Sequence, residues 1–539
     1  MNRIKLMLSF LLSIGVFMIA SVATVWAMEG EYNQVGADSS SIMDRQPIPE
    51  QIGPVVGFCN VIAEGQFANQ EGVNGIEGAT WVLCDDGVLS VDEGFINWFG
   101  WSSPWHNYRG YINQINFTAP ITAGVSLAHL FNNLMNVTTI EGLEYFDTSQ
   151  VTNMGRMFGN ASSLTNLDLS NFNTSQVTDM SAMFMGASGL VSLDLSNFDT
   201  SQVTNMNGMF GNTSSLTNLD LSNFNTSEVT DMSMMFWNAS SLISLNLSNF
   251  DTSQVTKMNG MFGHTRSLTN LNLSNFDTNQ VTDMSHMFWN ASSLTSLDLS
   301  NFDTSQVTNM WGMFGGAFNL TSLDLSSFNT SQVIDMGHMF DGIGLTSLDL
   351  SNFDTSSVAG MAGMFWGARS LTSLDLSHFD TRNVTDMRRM FFRTNNLRNL
   401  TIGENFRFIG FVDLPEIHAT SEFTGYWQNV GNGTIVNPTG AFVFTSQQLM
   451  EQFHGATMAD TFVWQPVNRP ISTPRDTLRE LIAEAEARTQ ADYTPRSWAN
   501  MQSMLTFARN VYNNPSATDA QIEDAINLLR ARLDALEPR

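Results

Sequence analysis

An α/β solenoid of stacked, near-identical coils, closed by β-rich caps and followed by a three-helix bundle, is the fold class this sequence predicts. Three observations predict it. First, Phe146, Phe172, Phe198, Phe224, Phe250, Phe276, Phe302 and Phe328 recur every 26 residues, and Phe353 and Phe379 follow after 25 and 26. Second, within the unit Leu164–Gly189, the residues Leu164, Leu167, Leu169 and Phe172 give L-x-x-L-x-L-x-x-F, the strand-and-bend signature of a leucine-rich-repeat solenoid. Third, residues 475–539 leave the repeat and take up helical spacing. With 539 residues, 42% of them hydrophobic, the chain has the length for several domains and the apolar content for a large core.

The first residues read as a targeting segment. Arg3 and Lys5 form a basic start, Leu6 to Ile19 an apolar run, and Val25-Trp26-Ala27 a cleavage signal, so a signal peptide is expected over 1–27. The rival is an uncleaved anchor, because the run to Val25 is nearly long enough to span a bilayer. No cysteine stands at the cleavage position, and no later segment is apolar enough to span a membrane. The chain is therefore expected to be secreted and associated with the cell surface. Residues 28–57, rich in Ser, Gly, Gln and Pro, read as a flexible leader.

Residues 58–145 are expected to form an N-terminal cap, because the first coil of a stack otherwise exposes its apolar end. Two β-rich runs around Asp86-Gly87 predict a hairpin from Thr80 to Val91. Trp98, Trp101, Trp105, Tyr108 and Tyr111 precede Ile112, Ile115 and Phe117, and they read as cap core rather than as a sugar platform. Cys59 and Cys84 are the two cysteines, either a disulfide of an oxidising compartment or a pair of buried thiols.

The repeats occupy 146–400. Leu167 and Leu169 alternate with Asp168, which turns the leucines inward and the acid outward. Val177, Met180 and Phe184 are spaced for a short helical return, with Asn173 and Thr174 or Ser175 to cap it. A second short strand over Val177–Met180 is the alternative. The residue after each Met-Phe pair alternates in mid-array, as Gly211, Trp237, Gly263, Trp289 and Gly315, which suggests duplication in units of 52 residues. The 25-residue repeat is shortened around Asp341–Leu345, where a loop absorbs the deletion. The run NFDTSQVTNMWGMFGGAFNLTSLDLSSF (Asn301–Phe328) resembles the BspA-type leucine-rich-repeat surface proteins, which carry repeats of this length. That resemblance covers 146–400 and implies adhesion, or contact with a host or matrix, without naming a ligand.

Residues 401–467 hold short aromatic runs between Gly and Asn turns and are expected to form a β-rich C-terminal cap; 468–474 read as a proline-containing linker. Over 475–539 three amphipathic helices are expected, the second opened by Thr494-Pro495 and the third by the capping box Thr518-Asp519-Ala520-Gln521. Tyr493-Thr494, Ser497-Trp498 and Ala517-Thr518 resemble the FIVAR module, which implies binding of carbohydrate or cell wall. The tail 533–539 has neither a hydrophobic stretch nor an LPxTG-like signal, so the chain is expected to be released or held only non-covalently.

The formal net charge of -28 argues against a nucleic-acid partner, which would need Lys and Arg on its phosphates. G-x-S-x-G, H-E-x-x-H and Walker motifs are all missing, so no enzyme and no cofactor is expected. His286 and His338 share a repeat column but stand two coils apart, roughly 10 Å at about 5 Å per strand, too far to share one metal ion. Asn160-Ala161-Ser162 and its copies match glycosylation sequons but read as repeated turns.

The candidate binding residues are Asp168, Asp194, Asp220, Asp298, Asp324, Asp349 and Asp375, which fill one repeat position, with Asn246 and Asn272 in the gap. Between Leu164 and Phe365 the basic residues are Lys257 and Arg266, so little offsets this column. It is either a solvated strand face or a concave recognition stripe for a basic protein or a cation-bridged glycan. The function expected is therefore a surface binding protein for an extracellular protein or glycan. The alternatives are a wall-associated enzyme targeted by its repeats, or a spacer.

Overall fold

The computed structural model describes residues 59–69, 76–467 and 474–538. The expected signal peptide, the leader and all but the last residue of the expected linker lie outside the described residues. Pro474, placed in that linker by the sequence, is instead the first residue of a helix.

The repeats form a β-solenoid of about 12 turns. Each coil has two arms. The L-x-L arm was expected to be a strand in every coil, but regular pairing is confined to few places. One is β9 (Asn218–Asp220) beside β10 (Ser244–Asn246); another is β11 (Ser373–Leu376) beside β12 (Asn399–Ile402). In both pairs a carboxylate faces a neutral side chain: Asp220 faces Asn246, whose amide donates to it at 3.1 Å, and Asp375 faces Thr401. Charge alone does not decide where strands form, since the Asn272 coil sets Asn against Asn246 and has no regular strand either. The first leucine of the arm is buried in some coils, at Leu219, Leu297, Leu348 and Leu374, and less enclosed than alternation predicts in others. Leu167, Leu193, Leu245, Leu271 and Leu323 are half-buried, whereas Leu169, Leu195 and Leu247 are buried.

The second arm corrects the expected helical return, and with it the α part of the α/β expectation for the array. No repeat helix forms. Alternate N–H groups close tight turns inside the coil, as from Met157 to the carbonyl of Met154. The others donate to the next coil, as Met154 does to Asp179, Arg156 to Ser181 and Phe158 to Met183. Two residues four apart take left-handed backbone in each coil, for example Arg156 (φ 54°) and Asn160 (φ 54°), and His286 (φ 57°) and Asn290 (φ 53°). Left-handed residues stop an α-helix from propagating. A parallel bridge at one residue per coil, from Ser126 through Asn153 and Asp179 to Asp386, is the nearest approach to the second strand.

The core is a stack of identical side chains. Phe131, Phe158, Phe184 and their successors to Phe391 lie face to face, with centroids 5.3–6.0 Å apart. A buried threonine column runs beside them. The Thr226 hydroxyl donates to the carbonyl of Asp251 at 2.8 Å and accepts the N–H of the same residue at 2.8 Å, and Thr174, Thr200, Thr252 and Thr278 repeat the arrangement.

The ends are sealed by antiparallel strands. At the N-terminal end β1 (Val61–Gln66), β2 (Thr80–Cys84) and β3 (Val88–Val91) pair antiparallel, and the Asp-Gly hairpin forms with Leu83 opposite Leu89. The parallel stack then begins, with β3 beside β5 (Gln114–Phe117) and β5 beside β7 (Thr139–Glu141). A second sheet joins β4 (Gly94–Trp98), β6 (Ile121–Leu127) and β8 (Phe146–Asp147). Cys59 and Cys84 are joined as a disulfide. At the other end β15 (Asp460–Pro466) pairs antiparallel with β12, and β13 (Phe423–Asn429) and β14 (Val443–Phe444) extend that sheet. This segment is less purely β than expected, since it holds helices α1 (Ser446–Gln452) and α2 (Gly455–Met458).

The C-terminal region is helical: α3 (Pro474–Glu486), α4 (Pro495–Asn513) and α5 (Asp519–Asp534). Thr518 and Gln521 form the capping box, and Leu478, Met501, Leu505, Ile522 and Leu529 share one core.

Replacing Thr226 by Val keeps the shape but leaves the N–H and carbonyl of Asp251 unbonded. The variant is expected to lose about 1–3 kcal/mol of stability in denaturant unfolding. Thr204→Val, at an exposed hydroxyl, should lose roughly 0.5 kcal/mol or less. Equal losses at the two sites would show that the buried column is not what couples the coils.

Candidate binding surface

All seven carboxylates of the predicted column are exposed and in register, one per coil. Their local role was missed by the sequence reading. Each accepts the backbone N–H of the serine two residues on: Asp168 from Ser170 and Asp194 from Ser196 at 3.0 Å, Asp324 from Ser326 at 2.9 Å, Asp375 from Ser377 at 2.8 Å. Asp220, Asp298 and Asp349 do the same. The acid is therefore a turn former as well as a surface charge. Asn246 and Asn272 fill the gap because an amide oxygen accepts the same bond, from Ser248 and Ser274.

The bond to serine also sets the ionisation. It holds Asp168, Asp194, Asp220, Asp298, Asp324 and Asp349 below the usual carboxylate value. Repulsion works the other way, with Asp298 and Asp349 both opposing the charge on Asp324. All six stay ionised at neutral pH, and their mutual field is a property of the face.

Two further columns use the same turn. Asp199, Asp251 and Asp303 accept from Ser201, Ser253 and Ser305. Asp179, Asp231 and Asp283 accept from Ser181, Ser233 and Ser285. The legible signal was D-x-S, or N-x-S, repeated three times per unit. Among the described residues no group of three or more His, Cys, Asp or Glu is arranged to hold a metal ion.

A second surface lies along the corner that follows the buried Phe stack. Trp237 covers Gly260 and Gly263 of the next coil, and Trp289 covers Gly312 and Gly315; a Cβ at Gly263 would stand 2.4 Å from the Trp237 ring. The Gly/Trp alternation is thus a packing rule, a large ring on one coil over a bare backbone on the next. The rings continue from Trp289 to Trp311 (5.5 Å), to His338 (5.0 Å), to Trp366 (5.7 Å) and to Phe392 (4.9 Å). Arg389 lies 5.2 Å over Trp366, and Arg393 lies 5.1 Å over Phe392. His286 and His338 do not face each other, since the Trp311 ring lies between them, 4.4 and 5.0 Å from the two.

Near the N-terminal end the aromatic cluster divides. Trp105 is buried as cap core, but Trp101 is 81% exposed and Phe99 69%. The expectation of cap core is corrected at Trp101 and at Tyr111, which is 63% exposed.

A family model described as DUF285, Mycoplasma protein of unknown function, matches residues 125–243, 214–322 and 316–406, which together span just over half of the chain. A FIVAR domain model matches 475–537. A lacto-N-biosidase of Bifidobacterium longum is 34% identical over 74 residues, 14% of this chain and 5% of that protein. The chain thus spans about a twentieth of the length of this curated relative. Among solved structures, a leucine-rich-repeat protein from Eubacterium ventriosum is similar at a TM-score of 0.29 and 14% identity, over 66% of this chain and 91% of that one. The Drosophila Toll–Spätzle complex is similar at 0.14 and 12% identity, over 60% and 63%.

The histidines of the corner give a pH-dependent stability. Burial, then the Arg266 charge, holds His264 down to about 4; burial, then His264 and His338, holds His286 down to about 4. Unfolded, both rings take protons near the ordinary value of about 6.5. Between the two values the unfolded chain binds more protons, so stability is full above about 6.5 and is lost as pH falls towards 4. The turn-forming carboxylates lose their contribution only below that window. The melting temperature of a His264→Asn/His286→Asn variant should fall less steeply from pH 7 to 4 than that of the parent. An unchanged slope would remove these rings as its source.

Proposed function

This chain belongs to the DUF285 family, and we propose that it is an exported, non-catalytic binding protein of a bacterial surface, its solenoid presenting side-chain columns to an extracellular protein or glycan. The observation that carries the proposal is the register of the seven exposed carboxylates on one arm of the coils, in runs of three and four on either side of Asn246 and Asn272. Repeat solenoids recognise partners over such extended faces, and a line of like charge speeds encounter with a cationic partner and makes binding salt-dependent. In this reading 58–145 and 401–467 are caps, and 475–539 is a FIVAR-type three-helix bundle that tethers the chain to wall carbohydrate. The signal peptide over 1–27 and the BspA-like adhesive role belong to the same proposal. The lacto-N-biosidase match favours a glycan-rich setting, and its short span brings no activity with it.

Two tests follow. An array of matrix proteins and glycans probed with the full chain should yield a ligand. Asp298→Asn, Asp324→Asn and Asp349→Asn combined should then weaken binding and flatten its salt dependence. The fold should survive, because Asn246 already makes the same turn bond at 3.2 Å. Unchanged affinity would remove the column from recognition.

Cells expressing the chain with and without 475–539 should differ in wall retention, the shortened form appearing in the medium. Equal retention would end the tether role.

A further inference from the structure

Resting on the surface-binding reading above, we infer that the aromatic corner of the last coils, Trp289, Trp311, Trp366, Arg389, Phe392 and Arg393, is a binding strip for an acidic polysaccharide, a chain of pyranose rings carrying carboxylate or sulfate groups. The rings are not there to complete the core. That task falls to Phe288, Phe314, Phe340, Phe365 and Phe391, which are buried in unbroken face-to-face contact. The corner rings stand one step further out and are half-buried.

The backbone points the same way. The left-handed position of this corner is glycine in Gly260, Gly312 and Gly363, where that conformation is free of a Cβ clash. In alternate coils the same position carries His286 (φ 57°), His338 (φ 53°) and Arg389 (φ 58°). Large side chains are therefore kept where the fold itself is served by glycine.

Shape and charge select the occupant. The strip runs along the solenoid axis and is only one or two side chains wide. A globular partner needs a broad patch of about 800 Å², whereas a linear polymer needs a line. Each β-linked pyranose advances by about the rise of one coil, about 4.8 Å, so successive sugars meet successive coils and rest their C–H faces on the rings. The repeat array carries most of its basic residues at this end. Seven arginines lie between residues 366 and 410, against Lys257 and Arg266 in the preceding 200 or so residues. Arg382 and Arg388 are held by Asp380 and Asp386 at 2.6 and 2.7 Å. Arg389 and Arg393 instead lie across Trp366 and Phe392 with exposed side chains, and Arg389 is 3.8 Å from Asp413. A guanidinium beside a ring face matches a sugar with an anionic substituent, which it binds by paired N–H donors. The acidic columns elsewhere repel such a polymer, and the one acid at this corner position, Asp341, shares a hydrogen bond with His338 at 2.9 Å.

The full chain is titrated with oligomers of polymannuronate and of chondroitin sulfate, both β-linked, with cello-oligosaccharides as the neutral β-linked control, following tryptophan fluorescence and calorimetry. One or both acidic oligomers should bind and shift the fluorescence, with an affinity that falls as salt is raised; neutral oligomers should bind at least tenfold more weakly. Arg389→Gln/Arg393→Gln should weaken acidic-oligomer binding tenfold or more without lowering the melting temperature. Trp366→Phe, which keeps the packing, should weaken it less than Trp366→Ala. Asp298→Asn/Asp324→Asn/Asp349→Asn should leave this binding equal or tighter. Equal affinity for neutral and acidic oligomers, or indifference to the arginine substitutions, overturns the strip. If the chain binds a matrix protein through the Asp column while acidic oligomers fail, the strip alone falls; if no ligand of any kind is found, the surface-binding reading falls with it.

Discussion

A buried threonine hydroxyl joins each coil to the next. In coil after coil it donates to one backbone carbonyl and accepts one backbone N–H, both from the single residue that precedes the next threonine. Neither partner exists in an isolated coil. Alternate N–H groups of the turn arm also find their acceptors only on the following coil. A coil with no neighbour would leave these groups and one face of its apolar core to water, and a neighbour that covered them without matching them would bury unsatisfied polar groups at about 1–3 kcal/mol each, which is why the array behaves as a stack and why its repeats are so uniform. Phe stacking gains area from the same spacing but sets no register, since a face of a ring tolerates sliding and a pair of hydrogen bonds does not.

Uniformity changes which positions speak for function. The Asp and Asn columns recur because each forms the same turn to a residue two positions on, and a turn former would be repeated in any solenoid of this design. Their charge is what exceeds the structural need, because asparagine makes the same bond in Asn246 and Asn272. The corner after the Phe stack differs from coil to coil, from Gly to Met, Trp, Asp and Phe, while the backbone beneath keeps one conformation. Trp237 and Trp289 are matched to bare glycines on the next coil, whereas past Trp366 that match ends, because Arg389 and Phe392 follow there instead of glycine.

The two ends answer a different constraint. An open parallel stack presents a row of unpaired N–H and carbonyl groups, a template for further strands. Here β2 and β15 turn antiparallel against the first and last parallel strands, and the Cys59–Cys84 disulfide ties the outermost N-terminal strand to its neighbour. The ends of the parallel stack are thereby covered, and the sheet edges pass to the short outer strands β1 and β14.

Much of this was legible in the sequence, because its signals are local or periodic. The 26-residue recurrence of Phe, the Asp86-Gly87 hairpin, Pro495 at a helix start and the Thr518–Gln521 capping box each rest on residues close in sequence or on a strict period. The arm from Val177 to Phe184 was not legible. Its spacing fits a helix, but Ala182 takes a left-handed backbone (φ 53°) that nothing in an alanine announces, because the bonds that hold it run to the next coil. The half-burial of Leu167 and Leu193, the scarcity of regular strands in the L-x-L arm and the seating of Trp237 over Gly263 were hidden for the same reason. The sequence determined what each coil contains, since one period repeats it. Only the tertiary structure decided what each side chain meets, because almost every partner lies about 26 residues away, one coil along the stack.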